Sequence, residues 1–187
     1  MPGPRLEASR TLLLISDVQE RLLPVMQHRS TLLRRVTRLV EGAEILGVPV
    51  ACSEQYPRGL GRTVVPLADK LTHAVCCIEK TRFSAVGPEL VGQLEQRGIT
   101  SVVVAGLETH VCVLQTCLDL LDRGLTVAVC QDATSSRREV DRQAALARMS
   151  QAGVLPVTVE TVLFEWLGDA GDQAFKSLRS VIQSPEG

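Results

Sequence analysis

Along the chain, short runs of apolar and branched residues alternate with longer stretches whose apolar positions recur at helical spacing. "TLLLIS" (11–16) leads into "LLRRVTRLVEGAEILG", followed by "VPVAC" (48–52), "AVCCI" (74–78) and "PELVGQLEQRG". Then come "TSVVVAG" (100–106), "VCVLQTCLDLLDRG", "LTVAVC" (125–130), "REVDRQAALARMSQAG" and "VLPVTV" (154–159). Runs that are apolar throughout predict strands covered on both faces, and the helical stretches between them predict crossovers joining parallel strands. Gly47, Gly98, Gly124 and Gly153 each close a helical pattern just before the next apolar run, where a helix-terminating glycine and a short connection belong. The predicted fold class is α/β: a three-layer α/β/α arrangement around a mostly parallel, Rossmann-like sheet of about six strands. The tail "ETVLFEWLGDAGDQAFKSLRSVIQ", which holds the one Trp, is expected to cover a sheet edge or to meet another subunit.

With 187 residues and no Pro-, Gly- or Ser-rich linker, the chain predicts a single domain over 11–183, with flexible segments at 1–10 and 184–187. Twenty Lys and Arg against 21 Asp and Glu give a formal charge of -1, which offers no electrostatic reason to expect nucleic acid or an anionic membrane as partner. No apolar run approaches the roughly 18 residues of a spanning helix. Six Cys without CxxC spacing fit a reducing, cytoplasmic setting. The opening "MPGPRLEASR" makes a poor basic amphipathic helix, though it leaves organellar import open.

Ligands of open α/β sheets bind beyond the carboxyl ends of the strands. Asp17 stands there after the first run, Glu54, Gln55 and Tyr56 after the second, and Lys80 and Arg82 after the third. Glu108, Thr109, His110 and Cys112 follow the fourth, and Asp132, Thr134, Ser135 and Ser136 the fifth. The turn "SDVQERL" lacks GxGxxG, which disfavours a dinucleotide-dependent oxidoreductase. Taken alone, Cys112 reads as a small buried apolar residue. Its predicted place in the first turn of a helix changes that, because unpaired N–H groups and the helix dipole would draw the thiol below its free value of about 8.5. The same donors would hold the oxyanion of a tetrahedral intermediate. Lys80 is a candidate partner for both the thiolate and Asp17, so the edge offers a nucleophile, a proton-transfer group and an orienter. His110, two residues from Cys112, points away from it on a helix and reads as a pocket wall or helix surface. Cys52, Cys76, Cys77, Cys117 and Cys130 read as packing residues.

Three segments, "LLLISDVQ" (12–19), "EKTRFSA" (79–85) and "GLETHVCV" (106–113), resemble in order and spacing the isochorismatase-like cysteine hydrolases, and the resemblance extends from about residue 11 to about residue 165. It implies an Asp, Lys and Cys triad that hydrolyses amides or related small substrates, with the acid on Asp17, the lysine on Lys80 and the nucleophile on Cys112. It also implies a non-proline cis peptide between Leu107 and Glu108 that turns the backbone N–H groups of Glu108 and Cys112 toward the oxyanion. Nicotinamidases of the family resemble one another in an Asp and two His that bind metal after the second strand. The corresponding "CSEQYPRGLGRT" has none of these, so no metal or other cofactor is expected and nicotinamide is disfavoured. Isochorismate hydrolases proper can carry Asp at the nucleophile position, where this chain has Cys.

Glu54, Gln55, Tyr56, Arg82, Phe83 and Glu108 are the candidate pocket walls, with Arg82 as a carboxylate clamp, Tyr56 or Phe83 as an apolar face, and Glu108 repelling anions. The competing reading gives Arg82 a solvent or ion-pair role and Phe83 a core role. The expected function is hydrolysis of a non-peptide C–N bond in an unidentified small, amide-like substrate. The alternative is a catalytically weak or inactive interaction module on the same scaffold. Family members commonly self-associate, so a homo-oligomer is expected, while any other protein partner is unknown.

Overall fold

The computed structural model describes residues 5–184. Its centre is one sheet of six strands in the order β3-β2-β1-β4-β5-β6, every neighbouring pair parallel. The strands are β1 (Thr11–Ser16), β2 (Val50–Gln55), β3 (Cys76–Lys80), β4 (Ser101–Leu107), β5 (Thr126–Ser135) and β6 (Leu155–Val157). The helices are α1 (Arg29–Ile45), α2 (Pro57–Leu60), α3 (Val65–Ala68), α4 (Pro88–Gln96), α5 (Leu114–Leu121), α6 (Glu139–Ala152), α7 (Val159–Leu167) and α8 (Phe175–Ile182). This is the α/β sandwich that the apolar runs predict.

The period of two along each central strand sends neighbouring residues to opposite faces. Leu13 and Ile15 of β1, with Val103, Ala105 and Leu107 of β4, join one buried cluster with α1, α7 and α8. Leu12 and Leu14, with Val102 and Val104, join the other, with α4, α5 and α6. Each of these large side chains contributes about 1.5–3 kcal/mol by leaving water, and both faces must be covered for β1 and β4 to be stable. The C-terminal tail completes the first cluster: Val159, Val162, Leu163, Trp166 and Leu178 are buried there, and α7 and α8 pack on α1.

Two differences from the apolar pattern bear on the site. β2 and β3 start and end later than their apolar runs, so that Glu54, Gln55, Glu79 and Lys80 are in the ladder, paired Glu54↔Glu79 and Gln55↔Lys80. β5 likewise runs on to Ser135, with its register against β4 shifting between Val104 and Gly106. In both places polar residues extend a strand because the strand ends form a hydrogen-bonded crevice, which hydropathy alone does not register.

Of the segment 1–10, residues 1–4 lie outside the described residues, while Leu6 is buried and its N–H donates to Glu165 Oε2 at 3.0 Å. Of the segment 184–187, Ser184 accepts from Arg38 through its carbonyl at 2.9 Å, and residues 185–187 lie outside the described residues. Among the described residues, no helix is long and apolar enough to cross a membrane.

Candidate active site

β1 lies where the strand order reverses, with β2 on one side and β4 on the other, and such a point opens a crevice at the carboxyl ends of the strands. Gly106 lets β1 and β4 approach closely there. It has φ +120°, and a Cβ at that position would sit 2.1 Å from the Ser16 carbonyl oxygen, so no side chain fits without moving backbone. Asp17 leaves β1 in the left-handed region at φ +54°, which Asp tolerates better than most residues. Its N–H donates to Ser53 O at 3.0 Å.

The Asp17 carboxylate is fully buried and both its oxygens are engaged. Ser53 Oγ donates to Oδ1 at 2.7 Å and Lys80 Nζ to Oδ2 at 2.8 Å. Lys80 also donates to Gln55 Oε1 at 2.7 Å, and the Gln55 amide is oriented by donating to Thr81 O at 2.8 Å. Ser53 and Gln55 share one face of β2, and Lys80 is the register partner of Gln55, so strand alternation alone brings three of these side chains to the crevice. Gln19 fixes the edge: it donates to Gln55 O at 3.0 Å and accepts from Gln55 N at 2.8 Å.

Cys112 reaches the same place from the other side. Its turn is a π-helical segment, Thr109–Val113, in which Val113 N donates to Glu108 O at 3.2 Å before α5 begins. This wider turn replaces the ordinary α-helical first turn read from sequence, and π-turns of this kind recur at functional sites. The buried Cys112 Sγ lies 3.9 Å from Gln55 Oε1, the oxygen that also accepts from Lys80, and the charges of Asp17 and Lys80 both act on the thiol. The structure therefore brings Asp17, Lys80, Cys112 and Gln55 together.

Two expectations require correction. No cis peptide occurs among the described residues. The chain leaves β4 through the positive φ of Gly106 and the extended Glu108 (φ -73°, ψ 122°), so the peptide flip implied at Leu107–Glu108 is absent. Nor is the thiol drawn downward: burial pushes Cys112 up to about 12, with the Asp17 carboxylate acting in the same direction and Lys80 only partly opposing it. At rest the Cys112 side chain is a thiol, since desolvation and the carboxylate outweigh the lysine.

The candidate walls divide. Glu54 points to the opposite face of β2 from Gln55, where it accepts from Thr63 N at 2.7 Å, Thr63 Oγ1 at 2.8 Å and Arg62 at 2.8 Å. Burial disfavours its ionisation, but these donors prevail and hold it below the usual carboxylate range. Tyr56 and Phe83 are exposed, at 53% and 49%, and Arg82 is exposed in a 3.7 Å ion pair with Asp119. Glu108 is buried beside the Cys112 turn, held by Arg137 at 2.7 Å, with its other oxygen 3.4 Å from His110 Nδ1. His110 also meets Ser136 Oγ at 3.0 Å.

Sequence reading missed Ser53, Gln19 and Arg137. Ser53 carried a signal, a hydroxyl at an inward position of a buried strand, whereas nothing local marks Arg137 as the partner of Glu108. Among the described residues no group of three or more His, Cys, Asp or Glu is disposed to hold a metal ion.

Comparison with known proteins places this geometry in context. A family model described as the isochorismatase domain matches residues 11–161. The chain is 43% identical over 175 residues to isochorismatase domain-containing protein 1 of Salmo salar, a match covering 93% of this chain and 61% of that relative. It thus spans less than two thirds of that relative's length. It is 40% identical over 176 residues to isochorismatase domain-containing protein 2 of Homo sapiens, covering 94% of this chain and 84% of the relative. Among solved structures, the MAR1 ribonuclease of Caenorhabditis elegans superposes with a TM-score of 0.93 at 35% identity, covering 98% and 95% of the two chains. The YcaC gene product of Escherichia coli, an octameric hydrolase of unknown specificity, superposes with a TM-score of 0.89 at 26% identity, covering 97% and 92%.

Proposed function

The chain belongs to the isochorismatase family, and on that premise we propose that it hydrolyses a non-peptide C–N bond of a small amide-like substrate with Cys112 as nucleophile. The observation that carries this reading is the buried Asp17–Lys80 ion pair joined through Gln55 Oε1 to the buried Cys112 thiol at the switch point of the sheet.

In the proposed reaction, Asp17 takes the thiol proton as Sγ attacks the carbonyl carbon. Because the thiol rests up near about 12, proton transfer accompanies attack and does not precede it. The Cys112 backbone N–H, in the thiol's own turn, is the donor to the developing oxyanion, and the trans Leu107–Glu108 peptide withdraws that role from Glu108. Protonated Asp17 then gives its proton to the leaving nitrogen, the C–N bond breaks, and an acyl thioester remains on Cys112. Asp17 deprotonates water for attack on the thioester, and collapse releases a carboxylic acid and restores the thiol. Lys80 holds Asp17 in place by its 2.8 Å ion pair and balances its charge whenever it is ionised, while Gln55 positions both Lys80 and Sγ.

The name of the nematode structure raises RNA as a second class of substrate. The net charge of -1 and the carboxylate against the nucleophile give a polyanion no favourable path, and the amide reading is adopted. Self-association is part of the proposal, supported by exposed Tyr56 and Phe83 and by the octameric YcaC relative. Light scattering on the eluting protein measures it, and a strictly monomeric protein would remove it. The activity is tested by screening small primary amides for ammonia release with wild-type protein and C112S. Turnover that disappears in C112S supports the reading, and turnover that survives the substitution excludes it.

A further inference from the structure

Two cysteines that the proposed reaction does not use face each other across the sheet. Cys52 of β2 and Cys77 of β3 are direct register partners, so their side chains lie on one face. Neighbouring strands are spaced by about 4.8 Å, inside the Cα separation of roughly 4.4–6.8 Å that a disulfide spans. Cys77 is exposed on β3, which stands at the end of the strand order, and Cys52 is buried beneath it. No other two of the six cysteines are paired in register among the described residues; Cys76 is opposite Ala51, and Cys112, Cys117 and Cys130 are buried.

We propose that Cys77 and Cys52 form a peroxide-responsive dithiol, in which exposed Cys77 is oxidised first and buried Cys52 resolves it as an intramolecular disulfide. The Cys77 sulfur attacks a hydroperoxide oxygen, forming an S–O bond as the O–O bond breaks and an alcohol, or water, departs. The Cys52 sulfur then attacks the Cys77 sulfur, forming the S–S bond as the S–O bond breaks and water leaves with the Cys52 proton. The hydroperoxide gains two electrons and the two thiols lose them.

Acidity makes Cys77 the first of the pair to meet an oxidant. The neighbouring Cys52 thiol, whose S–H donates to Cys76 O at 3.7 Å, holds the Cys77 thiol below the usual range against the opposing effect of burial. Cys52 lies well above that range, through the neighbouring Cys77 thiol and through its own burial. Attack on peroxide requires a thiolate and access to it, and Cys77 has both. Cys112 is buried and held protonated, so the edge pair consumes oxidant ahead of the nucleophile. The crosslink would join β2 to β3 three positions before the register pair Gln55↔Lys80, on the opposite face of the sheet.

The reduced full-length protein is treated with about one equivalent of hydrogen peroxide, matching the two-electron couple of one dithiol, then alkylated under denaturing conditions and mapped without reductant. The expected product has lost two hydrogen atoms, links the Cys52 and Cys77 peptides, carries alkylated Cys112 and reverts with dithiothreitol. In C52S the same treatment leaves a Cys77 sulfenic acid that dimedone traps. C77S, altered at an exposed position, keeps its circular dichroism spectrum and forms no internal disulfide. Oxidation of Cys112 before Cys77, linkage to a different cysteine, or Cys77 oxidation in the wild type without linkage to Cys52 would each overturn the proposal.

Discussion

Replacing Asp17 by Asn separates two quantities that usually fall together, the reactivity of the nucleophile and the rate of turnover. After burial, the Asp17 carboxylate is the largest influence raising the Cys112 thiol, and Lys80 opposes it. Asn removes the negative charge and leaves the ammonium. For charges on the order of 5 Å apart at an effective dielectric near 20, that loss is worth about 3 kcal/mol. The thiol of D17N therefore falls by about two pH units, which raises the thiolate fraction at neutral pH about a hundredfold. Hydrolysis should move the other way, down by about 10²–10⁴, because the group that takes and returns the proton is gone. The assay is the rate of iodoacetamide alkylation against pH, followed by intact mass in a C77S background so that the exposed thiol does not interfere. Ammonia release is measured on the same samples. Unchanged or slower alkylation of Cys112 in D17N would refute the electrostatic account of the site.

The Lys80–Asp17 pair is buried on both sides, so K80M, which strands the carboxylate, should cost about 3–5 kcal/mol. The double variant D17N/K80M should recover much of that loss in urea denaturation, and a purely additive double variant would contradict a coupled pair. Substitution G106A places a methyl against the Ser16 carbonyl at a strained φ and should lower stability by at least about 2 kcal/mol, read from the urea midpoint; a wild-type midpoint would show that β1 and β4 are not so close. Glu54 is held below its ordinary range, so its stabilisation is complete above an unfolded-state value of about 4.3 and is lost as pH falls through the lower folded-state value. E54Q should therefore flatten the acid limb of stability against pH, and an unaltered acid limb would refute that role.

Much of this architecture is legible in the chain because its signals are local and repeated. The run "TLLLIS" is apolar at every position that meets a helix on either face, so β1 reads as a central strand from sequence. Asp17, Lys80 and Cys112 are legible as residues at strand ends, and the ordered segments around them carry the family resemblance. What composition hides is direction and depth. Glu54 and Gln55 are adjacent letters, yet the pleat sends one to Arg62 and Thr63 and the other to Lys80 and Cys112. The helix-terminus argument for a lowered Cys112 failed because burial and a neighbouring carboxylate outweigh a partial dipole charge, and burial is a property of the folded core. Cys77, placed by its run among packing residues, is exposed because β3 is at the end of the strand order.

The central claim is that Cys112 carries the acyl group. The most direct measurement is rapid acid quench of the protein with an amide that releases ammonia, followed by intact mass and peptide mapping. The account predicts a transient mass increase equal to the acyl group, located on Cys112, absent in C112S and labile to hydroxylamine as a thioester is. Steady ammonia release with no adduct on Cys112 at any quench time, or an adduct on another residue, would contradict it.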